Sequence, residues 1–164
     1  PPCSVTAWSG GAASASEATP ERAAMNDAAS MPVFFYGSYM HAAVLAEHGV
    51  ALAPLTSALL LDYDLHFQPL VTLAPAPGRW VWGGLGQATP DELRRLYDDP
   101  IVQDYGPVPV QVRTLTGQRM QAQTYLAPAR APVAPSPDYV QRLVAAARAL
   151  GLPDVYVERL ADLG

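Results

Sequence analysis

Apolar residues recur along this chain with two different periods, and each period predicts one kind of element. Short runs that are apolar throughout, or that alternate with polar residues, predict strands at Pro32–Tyr36, Leu59–Phe67, Val71–Leu73, Trp80–Gly86, Val108–Thr114 and Gln121–Leu126. Helical spacing predicts four helices, at Met40–His48, Pro90–Asp98, Pro137–Leu150 and Val155–Leu163. Strands and helices do not alternate regularly, and the strands favour hairpins. This order predicts an α+β fold, a small and mostly antiparallel β-barrel with surrounding helices.

Several local signals sharpen the ends of these elements. Thr89 is a predicted N-cap, with Pro90 at the first helical position and Glu92 completing a capping box. Gly49 and Gly151 are predicted to end the helices that precede them. The Pro75–Gly78 segment predicts a turn between two strands, and Thr116-Gly117 predicts a hairpin turn. The glycines that follow Trp82 predict a bulge or a close backbone approach.

Composition narrows the class of protein. The chain has 164 residues, of which 50% are hydrophobic and 15% charged, which is enough for one domain with a core. The net charge of -5 disfavours a nucleic-acid surface, and no apolar stretch is long enough to predict a membrane span. A single cysteine, Cys3, permits no intramolecular disulfide and no cysteine-rich zinc site. His41, His48 and His66 do not follow a metal-ligand spacing, so we expect neither metal nor cofactor.

The first 30 residues differ in composition from the rest. They are rich in Ala, Ser, Gly and Thr, with little periodicity, and they lack the basic start and apolar run of a signal peptide. We expect residues 1–30 to be a disordered tail, followed by one domain at 31–164. Met25 and Met31 are both candidate starts of the protein.

The segment Val33–Met40 is the first candidate for a site. An apolar strand ends abruptly in Tyr36-Gly37-Ser38, and a helix is predicted to follow. Gly37 tolerates a left-handed backbone, and Ser38 is a good N-cap. A helix that begins there would present backbone N–H groups to a carboxylate or an oxyanion. The alternative is an ordinary strand-to-helix turn.

Four motifs then stand in a recognisable order: Phe34–Ser38, Trp80–Gly83 followed by Asp91–Leu96, Thr124–Leu126, and Pro135–Tyr139. In this order the chain resembles the gamma-glutamylcyclotransferase-like family, which includes the plant avirulence-induced-gene-like proteins, from residue 32 to about residue 163. The resemblance implies a small β-barrel and a cytoplasmic enzyme that acts on a small molecule. Such enzymes cyclise a γ-glutamyl group to 5-oxoproline and release the amine that the group carried.

The resemblance also implies a set of binding residues. The loop around Gly37 would cradle the glutamyl portion and the developing oxyanion, with Tyr39 where family members commonly have asparagine. Two later tyrosines match family positions near the pocket, although packing in the core is an alternative role for both. The implied substrate-binding residues are Tyr36, Gly37, Ser38, Tyr39, Met40, Tyr125 and Tyr139.

The segment that should carry the catalytic acid departs from the family pattern. Family enzymes carry a glutamate in a Leu-Asp-x-x-Glu-Gly pattern, and counting from Leu96 puts Pro100 in that position. Counting back from Tyr105 gives Asp98 instead, and Asp99 lies between the two counts. Either Asp98 or Asp99 then serves as the general acid/base, or the group is absent and both are ordinary solvent-facing acids.

Three functions follow from these observations. The first is an enzyme that forms 5-oxoproline from a small γ-glutamyl amide. The second is a non-catalytic protein that binds a small carboxylate on the same fold, which the proline at position 100 favours. The third, a protein-interaction domain that uses the proline-rich loop Pro128–Pro137, is less favoured because those prolines more simply shape a loop.

Overall fold

The computed structural model describes residues 30–68 and 70–163, which form five strands, four α-helices and one short 3₁₀ helix. The strands are β1 Met31–Phe35, β2 Thr56–Phe67, β3 Val71–Ala88, β4 Gly106–Thr114 and β5 Arg119–Leu126. The helices are the 3₁₀ helix Ser38–Met40, α1 Ala42–Glu47, α2 Pro90–Tyr97, α3 Pro137–Leu150 and α4 Asp154–Ala161. The tail predicted for residues 1–30 lies outside the described residues, apart from Ser30.

The strands close into a barrel in the order β1-β3-β2-β4-β5. Neighbouring strands are antiparallel except for β1 and β5, which run parallel where Val33 lies beside Gln123. Apolar side chains from the strands and helices form one core, in which Val33, Leu60 and Leu143 are at most 2% exposed. The predicted α+β fold, a small and mostly antiparallel barrel surrounded by helices, is confirmed.

The turn predicted at Pro75–Gly78 was wrong, because β3 continues through that segment as one strand of 18 residues. The partner strand β2 contains a bulge between Leu61 and Tyr63, where Asp62 adopts a φ of 66°. Its Oδ1 atom accepts a hydrogen bond from the N–H of Gly78 at 3.0 Å. The extra residues are absorbed in this irregular stretch, and pairing resumes on both sides of it.

The helix predicted at Met40–His48 forms over the shorter range Ala42–Glu47, as α1, and the separate 3₁₀ helix precedes it. His41 separates the two, with an extended backbone at φ -97° and ψ 124°. Its Nδ1 atom accepts the N–H of Ala43 at 3.0 Å, so His41 is the N-cap of α1. Met40 enters the core, where it is 3% exposed, while Tyr39 is only partly buried and packs against the edge of the core. Gly49 follows α1 with a φ of 70°.

The later helices begin and end close to the predicted positions. The capping box of α2 is complete: the Thr89 hydroxyl accepts the N–H of Glu92 at 3.1 Å, and the Glu92 carboxylate accepts the N–H of Thr89 at 2.9 Å. Gly151 ends α3 with a φ of 80°. None of the helices that the structure describes has the length and apolar character needed to cross a membrane. These boundaries place Tyr97 at the last position of α2 and Tyr139 in the first turn of α3.

Candidate functional site

A cleft of about 270 Å³ opens beside the end of β1. Its walls come from the loop after β1, from α1, from the start of β3, from the segment after α2 and from the first turn of α3. Aromatic rings supply much of the lining, and the five tyrosines among them are Tyr36, Tyr39, Tyr97, Tyr105 and Tyr139. Besides the tyrosines, four ionisable side chains line this cleft: Glu47, His48, Asp99 and Arg142.

Six of the nine predicted site residues come together in this cleft, namely Tyr36, Gly37, Ser38, Tyr39, Asp99 and Tyr139. The other three do not line it. Met40 is buried in the core, and Asp98 is exposed just beyond the end of α2. Tyr125 lies behind the cleft wall, with its ring stacked on that of Tyr97 at a centroid distance of 3.9 Å.

The loop after β1 differs in detail from the predicted one. Gly37 has a φ of -109°, which is not left-handed, so conformational freedom is not the reason for a glycine here. Space is restricted instead: a Cβ atom at this position would lie 3.2 Å from Cγ1 of Val71, a tight contact, and 4.0 Å from the hydroxyl of Tyr139. Ser38 is not an N-cap but the first residue of the 3₁₀ helix, which has no side-chain cap.

Two backbone donors in this loop are available to a ligand. The N–H groups of Ser38 and Tyr39 make no hydrogen bond within the part of the chain that the structure describes. They are adjacent, they begin a helical turn, and both residues line the cleft. An oxygen atom with negative charge is the ligand that such a pair of donors favours.

Two tyrosine hydroxyls hold the start of β3 against the cleft. Tyr105 donates a hydrogen bond to the carbonyl oxygen of Val71 at 2.6 Å, and the Tyr139 hydroxyl accepts the N–H of the same residue at 3.2 Å. Both backbone groups of Val71 are therefore satisfied by side chains from distant parts of the chain. This arrangement links the segment after α2 to the first turn of α3 through one residue of the barrel.

Tyr97 contributes a hydroxyl that has no hydrogen-bond partner among the described residues. Its ring packs between Tyr125, which is stacked on it, and Tyr39, which meets it edge-on at 5.5 Å. Burial, followed by the neighbouring tyrosines, raises the pKa of Tyr97 well above its ordinary value. Tyr97 therefore remains a neutral donor at physiological pH, and its position in the cleft wall makes that donor available to a ligand.

Burial of these rings predicts a loss of stability in alkali. Burial, and secondarily the charge of Asp99, raises the pKa of Tyr39 to about 12, and burial raises that of Tyr139 to about 12. The unfolded chain loses these protons near pH 10 while the folded chain keeps them, so the free energy of unfolding should fall between pH 10 and pH 12. Urea unfolding across this range measures the loss. Tyr139→Phe should reduce the slope of the unfolding free energy against pH. A slope that the variant leaves unchanged would contradict this assignment.

Asp99 is held in the cleft wall by a tight turn. Its Oδ1 atom accepts the N–H of Ile101 at 3.0 Å, and its carbonyl oxygen accepts the N–H of Val102 at 2.9 Å. Asp and Pro are the residues that a type I β-turn favours at its first two positions, which is where Asp99 and Pro100 stand. The proline therefore helps to orient the carboxylate that precedes it.

His48 meets this carboxylate from the other side of the cleft. Its Nε2 atom lies 3.5 Å from Oδ2 of Asp99, and its Nδ1 atom lies 3.1 Å from the carbonyl oxygen of Val44. A carbonyl oxygen only accepts, so Nδ1 carries the proton and Nε2 faces the carboxylate. The ring of Tyr39 packs edge-on against the imidazole at 5.3 Å.

Sequence reasoning did not select His48, Tyr97 or Tyr105 as site residues. Tyr97 and Tyr105 lie near the two ends of the segment between Leu96 and Tyr105, in which the family pattern places the acid. Those two aromatic residues are the signal in the sequence that could have indicated them. His48 had no such signal, because its partner is far away in the sequence. Across residues 30–68 and 70–163, no three His, Cys, Asp or Glu side chains are grouped so as to hold a metal ion.

Comparisons with known proteins agree with this architecture. The model of the AIG2-like family matches residues 80–160. A solved structure named gamma-glutamyl cyclotransferase is 27% identical, with a TM-score of 0.73 over 80% of this chain and 86% of that chain. The uncharacterized protein loc79017 from Homo sapiens is also 27% identical, with a TM-score of 0.72 and the same two coverages.

A third structure, YkqA from Bacillus subtilis, is 24% identical with a TM-score of 0.71 over 81% of this chain and 53% of that chain, and it supports the fold alone. A comparison with curated protein sequences gives no match. The family match covers the second half of β3 through α4. Residues 80–160 therefore match the AIG2-like family, and the chain has the fold of gamma-glutamyl cyclotransferase.

Proposed function

We propose that this protein is a gamma-glutamylcyclotransferase-like enzyme, which converts a small γ-glutamyl amide to 5-oxoproline and a free amine. The observation that carries the proposal is that Asp99, held by the Asp-Pro turn, shares one cleft with the N–H groups of Ser38 and Tyr39, which have no partner among the described residues. The 27% identity to a protein named gamma-glutamyl cyclotransferase supports the reaction class.

In this reaction the substrate supplies its own nucleophile. The α-amine attacks the γ-amide carbonyl carbon of the same molecule, a five-membered ring forms, and the bond from that carbon to the leaving nitrogen breaks. The α-nitrogen begins as an ammonium group with three protons and ends as a lactam N–H with one, while the leaving nitrogen gains two. The protein must therefore hold a folded conformation of the substrate and transfer protons between its two nitrogen atoms.

The cleft provides groups for both tasks. The N–H groups of Ser38 and Tyr39 would receive a substrate carboxylate or the developing oxyanion, and the Tyr97 hydroxyl provides a third donor. The faces of the tyrosines suit the α-ammonium group, because an aromatic face attracts a cation. Arg142, exposed at the rim of the cleft, would attract an anionic substrate.

We assign the proton transfer to Asp99 rather than to Asp98. Asp99 lines the cleft, whereas Asp98 is exposed outside it. Pro100 then has a positive role, since it shapes the turn that brings the preceding carboxylate into the cleft. Met40 and Tyr125, which do not line the cleft, would support the loop and the Tyr97 ring from behind.

A second function is a protein that binds a small carboxylate without chemistry, and the proline that stands in the position of the family's glutamate favours it. Direct detection of 5-oxoproline from purified protein separates the two functions. The panel should pair each γ-glutamyl amino acid with the γ-glutamyl amine of the same side chain. We expect turnover of at least one compound. Thermal stabilisation by these compounds without any 5-oxoproline would instead support the binding protein.

A further inference from the structure

We infer that His48 and Asp99 act as one proton-carrying pair, in which a proton taken from the substrate is accepted by the imidazole Nε2 atom or by the carboxylate Oδ2 atom beside it. This inference rests on the proposed function and deepens it, because it names a second residue for the proton transfer. His48 is a residue of the cleft wall, and its side chain is 20% exposed.

The hydrogen bonds around the pair leave one pair of atoms facing each other. Nδ1 of His48 donates to the carbonyl oxygen of Val44, and Oδ1 of Asp99 accepts the N–H of Ile101. Only Nε2 and Oδ2 remain, and they are 3.5 Å apart. A single proton taken up by the pair gives an imidazole with a carboxylic acid when it lies on Oδ2, or an imidazolium with a carboxylate when it lies on Nε2.

The surroundings keep the imidazole in this orientation. The Tyr39 ring packs edge-on against it, and the Tyr39 hydroxyl is itself anchored by donation to the carbonyl oxygen of Leu96 at 2.6 Å. Rotation of the His48 ring would break the bond to Val44 and move Nε2 away from Asp99. The geometry is that of a base whose orientation is set by its second nitrogen.

The pair would carry both protons of the cyclisation, one after the other. The first passes from the α-ammonium group to the pair, which frees the nitrogen lone pair to attack the γ-carbonyl carbon. The pair returns that proton to the leaving nitrogen as the bond between this nitrogen and the carbonyl carbon breaks. The proton that remains in excess on the ring nitrogen then follows the same route to the released amine, and the pair regains its first state.

Chemical rescue tests the inference. His48→Gly removes the imidazole from a position that opens to the cleft, and kcat for 5-oxoproline formation should fall by about 100-fold or more with little change in KM. Added imidazole should restore kcat by about tenfold, because it can occupy the space and exchange protons with Asp99. The same imidazole should not rescue Asp99→Asn. A purely structural role of His48 would show loss without rescue.

The matched control is His41→Gly, at the other end of α1. Glycine is an acceptable N-cap, so this variant should keep the wild-type kcat and show no response to imidazole. Should His48→Gly fail to fold, His48→Gln keeps a side chain of similar reach that cannot exchange the proton, and it should show the same loss of kcat.

The possible failures are distinguishable. A wild-type protein that forms no 5-oxoproline from any compound overturns the proposed function and, with it, the proton relay. An active wild type whose His48 variants keep full kcat overturns the relay alone, as does a loss of kcat that imidazole does not restore in folded His48→Gly. Loss of kcat together with rescue by imidazole supports both.

Discussion

Replacing Asp99 with asparagine is expected to lower kcat for 5-oxoproline formation by about 10²- to 10⁴-fold, the usual contribution of a positioned general acid or base. The amide cannot exchange the proton, but its oxygen can still accept the N–H of Ile101, so the turn should persist. KM and the melting temperature should therefore change little. Steady-state kinetics of 5-oxoproline release, with a thermal unfolding curve for each variant, measures both effects.

Asp98→Asn is the matched control, because it makes the same chemical change at the neighbouring position. Asp98 is exposed and outside the cleft, so its variant should retain the wild-type kcat. The reverse pattern, with activity lost in Asp98→Asn and kept in Asp99→Asn, would move the acid to Asp98. Full activity in both variants would mean that neither aspartate transfers the proton.

Replacing Gly83 with alanine is expected to lower the free energy of unfolding strongly. A Cβ atom on Gly83 would lie 2.3 Å from the carbonyl oxygen of Phe35 and 2.7 Å from Cζ of Phe34. Backbone cannot move aside as the end of a flexible side chain can, and both residues belong to β1, which leads into the cleft. We expect a loss of about 3 kcal/mol in the free energy of unfolding, which corresponds to a melting temperature lower by about 10 °C.

Gly106→Ala provides the control in another strand. No atom lies within 4 Å of the position that its Cβ would take, and its φ is not positive. Urea unfolding of both variants should show a large shift of the midpoint for Gly83→Ala and a small one for Gly106→Ala. Equal midpoints would show that β1 can move away from β3 at little cost.

Gly83 also shows how far a local pattern can be interpreted. Its position among apolar residues predicted a bulge or a close backbone approach, and the structure confirms the close approach. Pro75–Gly78 had an equally strong local pattern for a turn, yet it lies within a continuous strand. The difference comes from Asp62 on the partner strand, whose carboxylate accepts the N–H of Gly78. The residues of Pro75–Gly78 by themselves do not indicate that Asp62 will be their partner.

The candidate site likewise contains residues that the sequence predicts and residues that only the tertiary structure identifies. The loop at Tyr36–Tyr39 was predicted from a strand that ends in glycine and serine, and it does line the cleft. The choice between Asp98 and Asp99 was not possible from counting along the chain. It depends on a turn that directs one side chain into the cleft and leaves the other exposed. His48 joins the site only because α1 packs near that turn.

The sequence by itself determined the features that depend on neighbouring residues. The capping box at Thr89 and Glu92, the glycine that ends α3 and the turn between β4 and β5 all involve contacts within a few positions along the chain. Only the tertiary structure decided the break at His41, the continuity of β3 and the meeting of His48 with Asp99. The continuity of β3 depends on Asp62 of the partner strand, and His48 meets Asp99 from a separate segment of the chain. The break at His41 accompanies the burial of Met40 in the core.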